Sequence, residues 1–224
     1  MQYLILIATL GFDERPVLHA LSEAGFGNVD KIILIRPAND DPRAVKAVSE
    51  IKKIAVISGL RDEDVISYRV EVSDFWGSVR MIHELFLDHA RNNNEIILCL
   101  GGGLRALVLE TFTAFILLTP KLRSVFRVRI DLETGAGSII ISGAEIFTNT
   151  SLSRNELEVL RIILEEPGIT LSRISDRIVK PASSIHRILK KLLDRGFVRR
   201  EGNKYYLSPA GRAVLEIVGR EDLI

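Results

Sequence analysis

Two short stretches of the chain carry the residue types that hold a phosphate group. Leu100–Arg105 reads Leu-Gly-Gly-Gly-Leu-Arg, and Thr9–Arg15 reads Thr-Leu-Gly-Phe-Asp-Glu-Arg. Glycines that run into a helix expose backbone N–H groups at its N-terminus, where anions bind readily. Arg105 adds a fixed positive charge suited to phosphate, and Phe12 offers a ring on which a base can stack. The sequence therefore predicts a site for a phosphorylated ligand.

The elements that must position these stretches form an alternating pattern. Six short apolar runs predict strands: Tyr3–Ala8, Lys31–Ile35, Val65–Val72, Glu95–Leu100, Val125–Leu132 and Ser138–Ile141. Helical segments lie between the first five: Pro16–Glu23, Asp41–Ile57, Asp74–Arg91 and Leu104–Leu118. This alternation predicts an α/β fold with a Rossmann-like, mostly parallel sheet whose strands are largely buried on both faces. Thr134–Gly137 is too short for a crossover, so the last two strands should form an antiparallel hairpin.

Doubly wound sheets often have the strand order 3-2-1-4-5, which makes strands 1 and 4 neighbours at the switch point where ligands bind. The two phosphate-holding stretches should therefore meet there. The loops after strands 2 and 3 should line the same edge. The candidate ligand-binding residues are Thr9, Leu10, Gly11, Phe12, Arg36, Pro37, Asp74, Phe75, Gly101, Gly102, Gly103, Leu104 and Arg105.

Two other interpretations of the glycine-rich stretch stay open. The glycines could serve only a tight turn, with Arg105 in a surface ion pair. Gly101-x-Gly103-x-x-Ala106, followed by Asp131, also matches a relaxed dinucleotide fingerprint. The match is weak because it lies at the fourth strand and its acidic residue comes later than the usual spacing of about 20 residues. A nicotinamide cofactor is therefore kept as an alternative.

The charge is divided unevenly along the chain. The 224 residues have a net charge of +1 and are 47% hydrophobic, enough to bury a core. Residues 1–148 carry 16 Lys and Arg against 19 Asp and Glu, whereas residues 172–204 carry 10 against 3. A basic segment beside an acidic remainder predicts a polyanion partner for that segment alone. We place a domain boundary at Asn149, giving domains 1–148 and 149–224.

The second domain has the pattern of a winged helix-turn-helix. A capping box opens a first helix, two further helices flank a tight turn, and a hairpin precedes a last helix. In chain order, the capping box is Ser153–Glu156, the second helix Thr170–Ile178, the turn Val179–Pro181, the third helix Ala182–Arg195 and the hairpin Phe197–Ser208. Ser208-Pro209 caps the last helix, and Gly219 is expected to follow its end. In this fold the third helix enters the major groove of double-stranded DNA, and the hairpin, or wing, contacts the backbone or minor groove.

The candidate DNA-binding residues lie on the second helix, on the outward face of the third helix and on the wing. They are Arg173, Arg177, Ser183, Ser184, His186, Arg187, Lys190, Lys191, Arg199, Arg200, Lys204 and Tyr206. Short polar side chains near the start of the third helix suit base edges, and the long cationic ones reach phosphates. A winged helix that contacts only protein, with a solvated basic face, is the alternative.

Composition excludes several classes of protein. The single cysteine, Cys99, rules out a disulfide framework and a cysteine-built zinc site, and the four histidines show no metal-binding spacing. The N-terminal run is too short to span a membrane and has no basic segment before it. We expect a soluble, cytoplasmic protein without a membrane partner.

The two domains together resemble a known family, the archaeal CRISPR-associated transcriptional regulators with a CARF (CRISPR-associated Rossmann fold) sensor. The resemblance covers nearly the whole chain and rests on Thr9–Phe12, Val72–Phe75 and Leu100–Arg105. It implies a sensor that forms a homodimer and binds a cyclic oligoadenylate, often the tetramer. It also implies binding to promoters of CRISPR-associated genes or to CRISPR leaders. Leu100 departs from the family pattern, since relatives often have a small polar residue there.

The resemblance leaves three functional alternatives. Some CARF sensors cleave their ligand slowly, but no general base is evident here, so we expect no substantial catalysis and no cofactor beyond the effector. A redox-sensing repressor that binds a nicotinamide dinucleotide is one alternative, and a nuclease that cleaves the cyclic ligand is another. A protein-interaction scaffold without a nucleic-acid partner is the third.

Overall fold

The computed structural model describes residues 3–39, 41–91, 94–132, 137–146 and 152–221, and only the backbone for 216–221. It contains two compact units, Met1–Gly143 and Ala144–Ile224. We call them the sensor unit and the winged-helix unit. The boundary expected at Asn149 lies outside the described residues, and the units divide five residues before it.

The sensor unit is built on one six-stranded sheet. Its strands are β1 (Leu4–Thr9), β2 (Lys31–Pro37), β3 (Val65–Val70), β4 (Glu95–Cys99), β5 (Phe126–Asp131) and β6 (Ser138–Ser142). The spatial order is β3-β2-β1-β4-β5-β6; the first five strands are parallel, and β6 pairs with β5 in the antiparallel sense. The expected order and the terminal hairpin are confirmed. Most of the Thr134–Gly137 turn lies outside the described residues.

Where the structure describes the sensor unit, five α-helices accompany this sheet: α1 (Arg15–Ala24), α2 (Pro42–Ile57), α3 (Phe75–Ala90), α4 (Arg105–Ile116) and the short α5 (Pro120–Arg123). Local sequence explains where they begin. Pro42 stands at the first position of α2, and the Asp41 carboxylate accepts a hydrogen bond from the Arg43 N–H at 2.8 Å. Asp74 caps α3 by accepting from the Gly77 N–H at 3.0 Å. The sequence had not predicted α5.

Burial on both faces holds for the central strands only. All but the first residue of β1 are buried, as are the five middle residues of β2. The expectation is wrong for the edge strands β3 and β6, where Ile66, Ile139 and Ile140 are exposed. An edge strand has a neighbour on one side only, so its apolar side chains are incompletely covered.

The described residues of the winged-helix unit form four helices and three strands. They are α6 (Arg154–Glu165), β7 (Ile169–Thr170), α7 (Leu171–Ile178), α8 (Ala182–Asp194), β8 (Val198–Glu201), β9 (Lys204–Leu207) and α9 (Pro209–Glu221). The strands pair in the order β7-β9-β8. Within each element the apolar positions recur on one side, and they form a single core that includes Leu160, Ile174, Ile185, Leu189 and Phe197.

Most of the local predictions for this unit are confirmed. The Ser153 hydroxyl and the Glu156 carboxylate form the reciprocal capping box that opens α6. The turn between α7 and α8 contains Val179 in the left-handed conformation, at φ 55°. Two details differ: β7 had not been predicted, and α9 runs through Gly219 to Glu221. A glycine inside a helix lowers stability without necessarily ending the helix.

Candidate functional site

The loops after β1 and β4 meet in one pocket. It lies at the carboxyl ends of these neighbouring strands and has a volume of about 620 Å³. It is lined by Gly11, Phe12, Asp13, Pro16, Leu100, Gly101, Gly102, Gly103, Leu104, Arg105, Val108 and Leu109. The structure thus brings together, in one concave surface, seven of the residues expected to bind a ligand.

Close backbone packing explains why glycine stands in both loops. A Cβ atom at Gly11 would lie 2.9 Å from the Gly103 Cα, and one at Gly102 would lie 3.0 Å from the Thr9 carbonyl oxygen. Gly103 also has a φ of +99°, which other residues adopt only with strain. The wall of the pocket is therefore largely backbone, and its shape leaves little room for side chains.

Thr9 and Leu10 support the pocket from inside the protein, contrary to the expectation that they line it. Both are buried. The Thr9 hydroxyl donates to the Gly102 carbonyl oxygen at 2.5 Å, which ties the two loops together. The Leu10 N–H donates to the Ile35 carbonyl oxygen at 2.8 Å. The Thr9 side chain thus joins the two loops, the Leu10 backbone fixes the first of them to β2, and neither buried side chain is available to a ligand.

Backbone and cationic groups suited to an anion stand at one end of the pocket. Helix α4 begins at Arg105, and Leu104 before it provides no side-chain cap. The first N–H groups of α4 therefore have no partner within the helix and favour an anion. Arg105 is exposed, and within the described part of the chain no hydrogen bond or ion pair engages it. Its guanidinium is free to bind a phosphate group.

Phe12 is half-exposed at this pocket, and its ring has a partner that the sequence analysis missed. The Arg43 guanidinium lies 3.8 Å from the centre of the ring. Asp41 holds the guanidinium through two hydrogen bonds, of 3.1 Å from Nε and 2.9 Å from Nη2. The only signal in the sequence was the Asp-Pro-Arg triplet that opens α2, which is also an ordinary helix start.

Four other expected site residues do not line the pocket. Arg36 is buried, and its Nε donates to the Ser67 hydroxyl at 2.7 Å. Pro37 ends β2, and Asp74 uses its carboxylate to cap α3. Phe75 packs edge-on against Trp76, with ring centres 5.2 Å apart. Strands β2 and β3 lie away from β4 in the sheet, so the loops after them do not reach the glycine turn.

Asp131, the acidic residue of the dinucleotide fingerprint, is engaged beneath the glycine turn. A Cβ at Gly101 would collide with its carboxylate. The Arg129 guanidinium is almost fully buried and forms ion pairs with Asp131 and, at 3.0 Å, with Glu23. Burial opposes the charge of Arg129, but the hydrogen bonds that its guanidinium donates to Glu23 and Asp131 raise its pKa. Asp131 does not line the pocket, which disfavours a role in binding a ribose.

Two titratable groups near the site are buried. Burial raises the pKa of the Cys99 thiol to about 11, so this cysteine is unreactive at neutral pH. Glu110 on α4 is fully buried, and neither carboxylate oxygen has a hydrogen-bond partner in the described structure. Burial, together with the nearby charges of Asp74 and Glu71, raises the pKa of Glu110 to about 7. The sequence analysis gave Glu110 no role in the site.

A larger cavity, of about 750 Å³, lies at the other end of the strands. Its lining includes Tyr3, Lys31, Arg61, Asp64 and His89. Helix C-termini point to this edge, and their carbonyl groups disfavour an anion. Arg61 is already paired with Asp64 at 2.9 Å. We therefore take the smaller glycine-lined pocket as the candidate site.

The outward face of α8 in the winged-helix unit presents the expected DNA-reading side chains. Ser183, His186, Arg187, Lys190 and Lys191 are exposed, and Ser184 is half-buried. The opposite face of the helix packs into the core through Ile185, Leu189 and Leu192. Arg187 and Lys191 also border a groove of about 360 Å³ between α8 and the start of α6. The helix is thus anchored on one side and cationic on the other.

The remaining basic residues are partly occupied within the protein. On α7, Arg173 pairs with Glu166 at 2.9 Å, and Arg177 pairs with Glu165. On the wing, Arg199 lies 3.7 Å from Glu201 and over the Tyr206 ring, and Arg200 donates to the Gly202 carbonyl oxygen at 2.6 Å. Lys204 is exposed. The unpaired positive charge therefore lies on α8 and on part of the wing, because ion pairs weaken the field of α7.

The residues that the structure describes include neither a metal-binding cluster nor a membrane-spanning helix. No group of three or more His, Cys, Asp or Glu side chains there could hold a metal ion. None of the helices there has the length and apolar character needed to cross a bilayer.

Comparisons with known proteins agree with this architecture. Residues 4–142 match the model of the Csa3 CRISPR-associated Rossmann-like domain, and residues 150–204 match that of the MarR family. An uncharacterized HTH-type transcriptional regulator from Pyrococcus abyssi is 32% identical over 53 residues, which is 24% of this chain and 33% of that protein. These matches confirm the family resemblance and the fold class.

Two solved structures align with parts of this chain, the first with a TM-score above 0.5 and the second with one below it. Enterococcus italicus Csm6 bound to cyclic hexa-2'-fluoro-hexa-dAMP aligns with a TM-score of 0.51 at 12% identity, covering 86% of this chain and 53% of that one. The Mycobacterium tuberculosis MarR family protein Rv2887 in complex with DNA aligns with a TM-score of 0.31 at 24% identity, covering 32% of this chain and 56% of that one. The chain thus spans a third to about half of these relatives.

Proposed function

The chain belongs to the Csa3 family of CRISPR-associated proteins with a Rossmann-like domain, and on that premise we propose that it is a ligand-controlled transcriptional regulator of CRISPR loci. In this proposal the sensor unit binds a cyclic oligoadenylate, the tetramer first of all. The winged-helix unit binds double-stranded DNA at a promoter or a CRISPR leader. The protein acts as a homodimer in the cytoplasm.

One observation carries the ligand proposal: the loops after β1 and β4 form a single pocket lined by glycine backbone, with Arg105 unengaged at its edge. Backbone N–H groups and a guanidinium together suit a phosphate, and the Phe12 ring suits a base. A cyclic tetranucleotide repeats these groups and can adopt two-fold symmetry. A symmetric dimer would meet it with the same pocket twice. The cyclic nucleotide bound to the Csm6 relative supports this ligand class.

The DNA-binding half of the proposal rests on α8. Its exposed basic face stands on a helix that the core of the unit fixes in place. A dimer that inserts two such helices should protect a palindromic site with half-sites about 10 base pairs apart, or a multiple of that spacing. Ligand control then requires that the cyclic nucleotide favour one of two dimer arrangements.

Binding without rapid cleavage is part of the proposal. The carboxylate that lines the pocket belongs to Asp13, which is paired with Arg15 at 2.7 Å. Side-chain hydrogen bonds from Arg15 lower the pKa of Asp13, which makes it a weak base. We expect cyclic tetra-adenylate to survive prolonged incubation with the protein, as followed by chromatography. Rapid appearance of linear products would instead favour a nuclease.

Calorimetry with cyclic tetra-adenylate tests the ligand directly. Wild-type protein should bind it, and Arg105→Ala should bind about 10- to 100-fold more weakly, as expected when a charge-assisted phosphate contact is lost. Arg80→Ala is the matched control, because Arg80 is an exposed arginine on α3, paired with Glu84, that does not line the pocket. Absence of binding by the wild-type protein would exclude this effector. A rise in melting temperature with a nicotinamide dinucleotide instead would favour a redox sensor.

A further inference from the structure

We propose that Arg43 is a positioning residue that holds the Phe12 ring as a platform for an adenine base. The inference rests on the proposed cyclic oligoadenylate ligand and assigns the part of the site that distinguishes one base from another. It stands on the contact between the two side chains, in which the guanidinium lies 3.8 Å from the ring centre.

A continuous set of contacts leads from the rigid fold to this ring. Helix α2 is anchored by Ala47, Ile51 and Ala55, which are buried in the same core cluster as residues of β1 and β2. Asp41 at its N-terminus accepts the Arg43 backbone N–H at 2.8 Å, which fixes the position of the carboxylate. The same carboxylate then holds the Arg43 guanidinium through both of its oxygens. The orientation of the guanidinium plane is therefore set by the start of a helix.

Among the described residues, the Phe12 ring has no cation over it other than Arg43. Phe12 lies in the loop between β1 and α1, and 46% of its surface is exposed. Within the described part of the chain, no other aromatic ring stacks on it. A half-exposed ring on a loop loses rotational freedom when a base stacks on it, and that loss weakens binding. A ring already held by a guanidinium has less freedom to lose.

The two arginines near the pocket have different roles in this arrangement. Arg105 has no hydrogen-bond or ion-pair partner among the described residues and can turn toward a phosphate group. Arg43 is paired with Asp41, so much of its charge is already matched. Its planar guanidinium can lie flat on an aromatic ring, which the ammonium group of a lysine cannot do. We infer that Arg43 contributes through the shape and orientation of its side chain, whereas Arg105 contributes through its charge.

The different roles of Arg43 and Arg105 predict different effects on the choice of base. A purine presents more surface than a pyrimidine to a stacking ring, so a well-held platform strengthens the preference for adenine. Loosening the platform should weaken binding of cyclic tetra-adenylate more than binding of cyclic tetra-uridylate. Loss of a phosphate contact, in contrast, should weaken binding of both ligands equally, because their phosphates are the same.

Four variants of the full-length protein test the inference by calorimetry with both ligands over a range of salt concentrations. Arg43→Ala removes the support. Arg43→Lys keeps the charge but loses the planar group. Asp41→Asn loosens the guanidinium while retaining a good helix cap. Arg80→Ala removes an arginine of similar exposure that pairs with Glu84 on α3. Melting temperatures close to the wild-type value verify that each variant is folded.

We expect Arg43→Ala and Arg43→Lys to bind cyclic tetra-adenylate about 3- to 10-fold more weakly than wild type, in line with the cost of ordering one side chain. Asp41→Asn should show a smaller loss, and Arg80→Ala none. In the Arg43 variants the preference for adenine over uracil should fall, while the dependence of ligand affinity on salt concentration stays as in the wild type. The inference would be wrong if Arg43→Lys bound with wild-type affinity, or if the Arg43 variants lost equal affinity for both ligands. Either result would indicate that Arg43 binds a phosphate group. Failure of the wild-type protein itself to bind would instead overturn the proposed function.

Discussion

The candidate sites of the two units are built in opposite ways. In the sensor unit the candidate pocket is walled by the backbone of Gly11 and Gly101–Gly103, packed so closely that a methyl group would not fit. In the winged-helix unit the candidate surface consists of long, exposed side chains on one helix, such as Arg187 and Lys190. A backbone wall selects by shape. Flexible cations select mainly by charge and tolerate variation in the partner.

The units also differ in where unfavourable energy is stored. The sensor unit buries the Glu110 carboxyl without a partner for either oxygen, among the described residues. The winged-helix unit instead holds Val179 at a positive φ in the turn between α7 and α8. One cost is electrostatic and depends on pH, whereas the other is steric and does not. Four predictions test these contrasts, beginning with the largest expected effect.

The double variant Arg187→Ala, Lys190→Ala should weaken DNA binding at least about 100-fold at low salt, because two exposed cations leave the recognition helix. The slope of log K against log salt should become shallower by about 2 for each recognition helix. Gel-shift measurements over a salt series give both quantities. The charge-preserving exchange Arg187→Lys, Lys190→Arg is the control and should keep the wild-type slope. An unchanged slope in the alanine variant would show that these side chains of α8 do not contact DNA phosphates.

Glu110→Gln should make the stability of the sensor unit less dependent on pH. The pKa of Glu110 rises from an ordinary 4.5 to about 7 in the folded protein, so the folded state binds the extra proton between these values. Wild-type stability should therefore fall as pH rises through this window, by up to about 3 kcal/mol, and stay low above it. A glutamine removes the ionisation, so the variant should be the more stable protein at pH 8 and similar at pH 5.

Chemical denaturation at the two pH values measures this difference. Glu84→Gln is the matched control, since Glu84 is exposed on α3 and pairs with Arg80 at 3.2 Å. It should leave the pH profile close to that of the wild type. Equal stability of wild type and Glu110→Gln at pH 8 would show that the carboxyl finds a partner in solution.

Gly11→Ala should disrupt the backbone wall of the pocket. The new methyl group would lie 2.9 Å from the Gly103 Cα, so one of the two loops must move. We expect cyclic tetra-adenylate to bind about 10- to 100-fold more weakly, because the phosphate-binding N–H groups shift with the loop. Calorimetry measures the loss. Gly27→Ala is the control, as a Cβ there has open space and no positive φ. Normal binding by Gly11→Ala would mean that the ligand does not need this wall.

Val179→Gly should stabilise the winged-helix unit by about 1 kcal/mol, since a left-handed conformation strains a β-branched residue and not glycine. Val179 is largely exposed, so few packing contacts are lost. Thermal unfolding at pH 5 and pH 8 should show the same gain at both values, unlike the Glu110 variant. A lower melting temperature would indicate that the valine side chain makes a stabilising contact.

Much of the architecture could be predicted from sequence because its signals are local. Continuous apolar runs predict buried strands, and the capping box at Ser153 and Glu156 marks a helix start wherever it occurs. The order of the central strands follows from the restricted topologies of alternating α/β chains. Proximity of the loops after β1 and β4 was a consequence of that order. The edge strands were less predictable, because burial depends on neighbours that the strand itself does not specify.

The residues of the site were harder to assign, because their roles depend on distant parts of the chain. Arg36 and Asp74 have chemistry suited to a ligand, yet one is buried against Ser67 and the other caps a helix. Arg43 resembles an ordinary first-turn residue until the structure places it on Phe12.

Apolar pattern, glycine positions and charge distribution therefore already specified the two-unit architecture, the glycine loops and the cationic third helix. Which side chains face the pocket, and which are occupied inside the protein, followed only from folding. Such contacts join atoms within a few ångströms across loops far apart in the chain, and no local pattern encodes that distance.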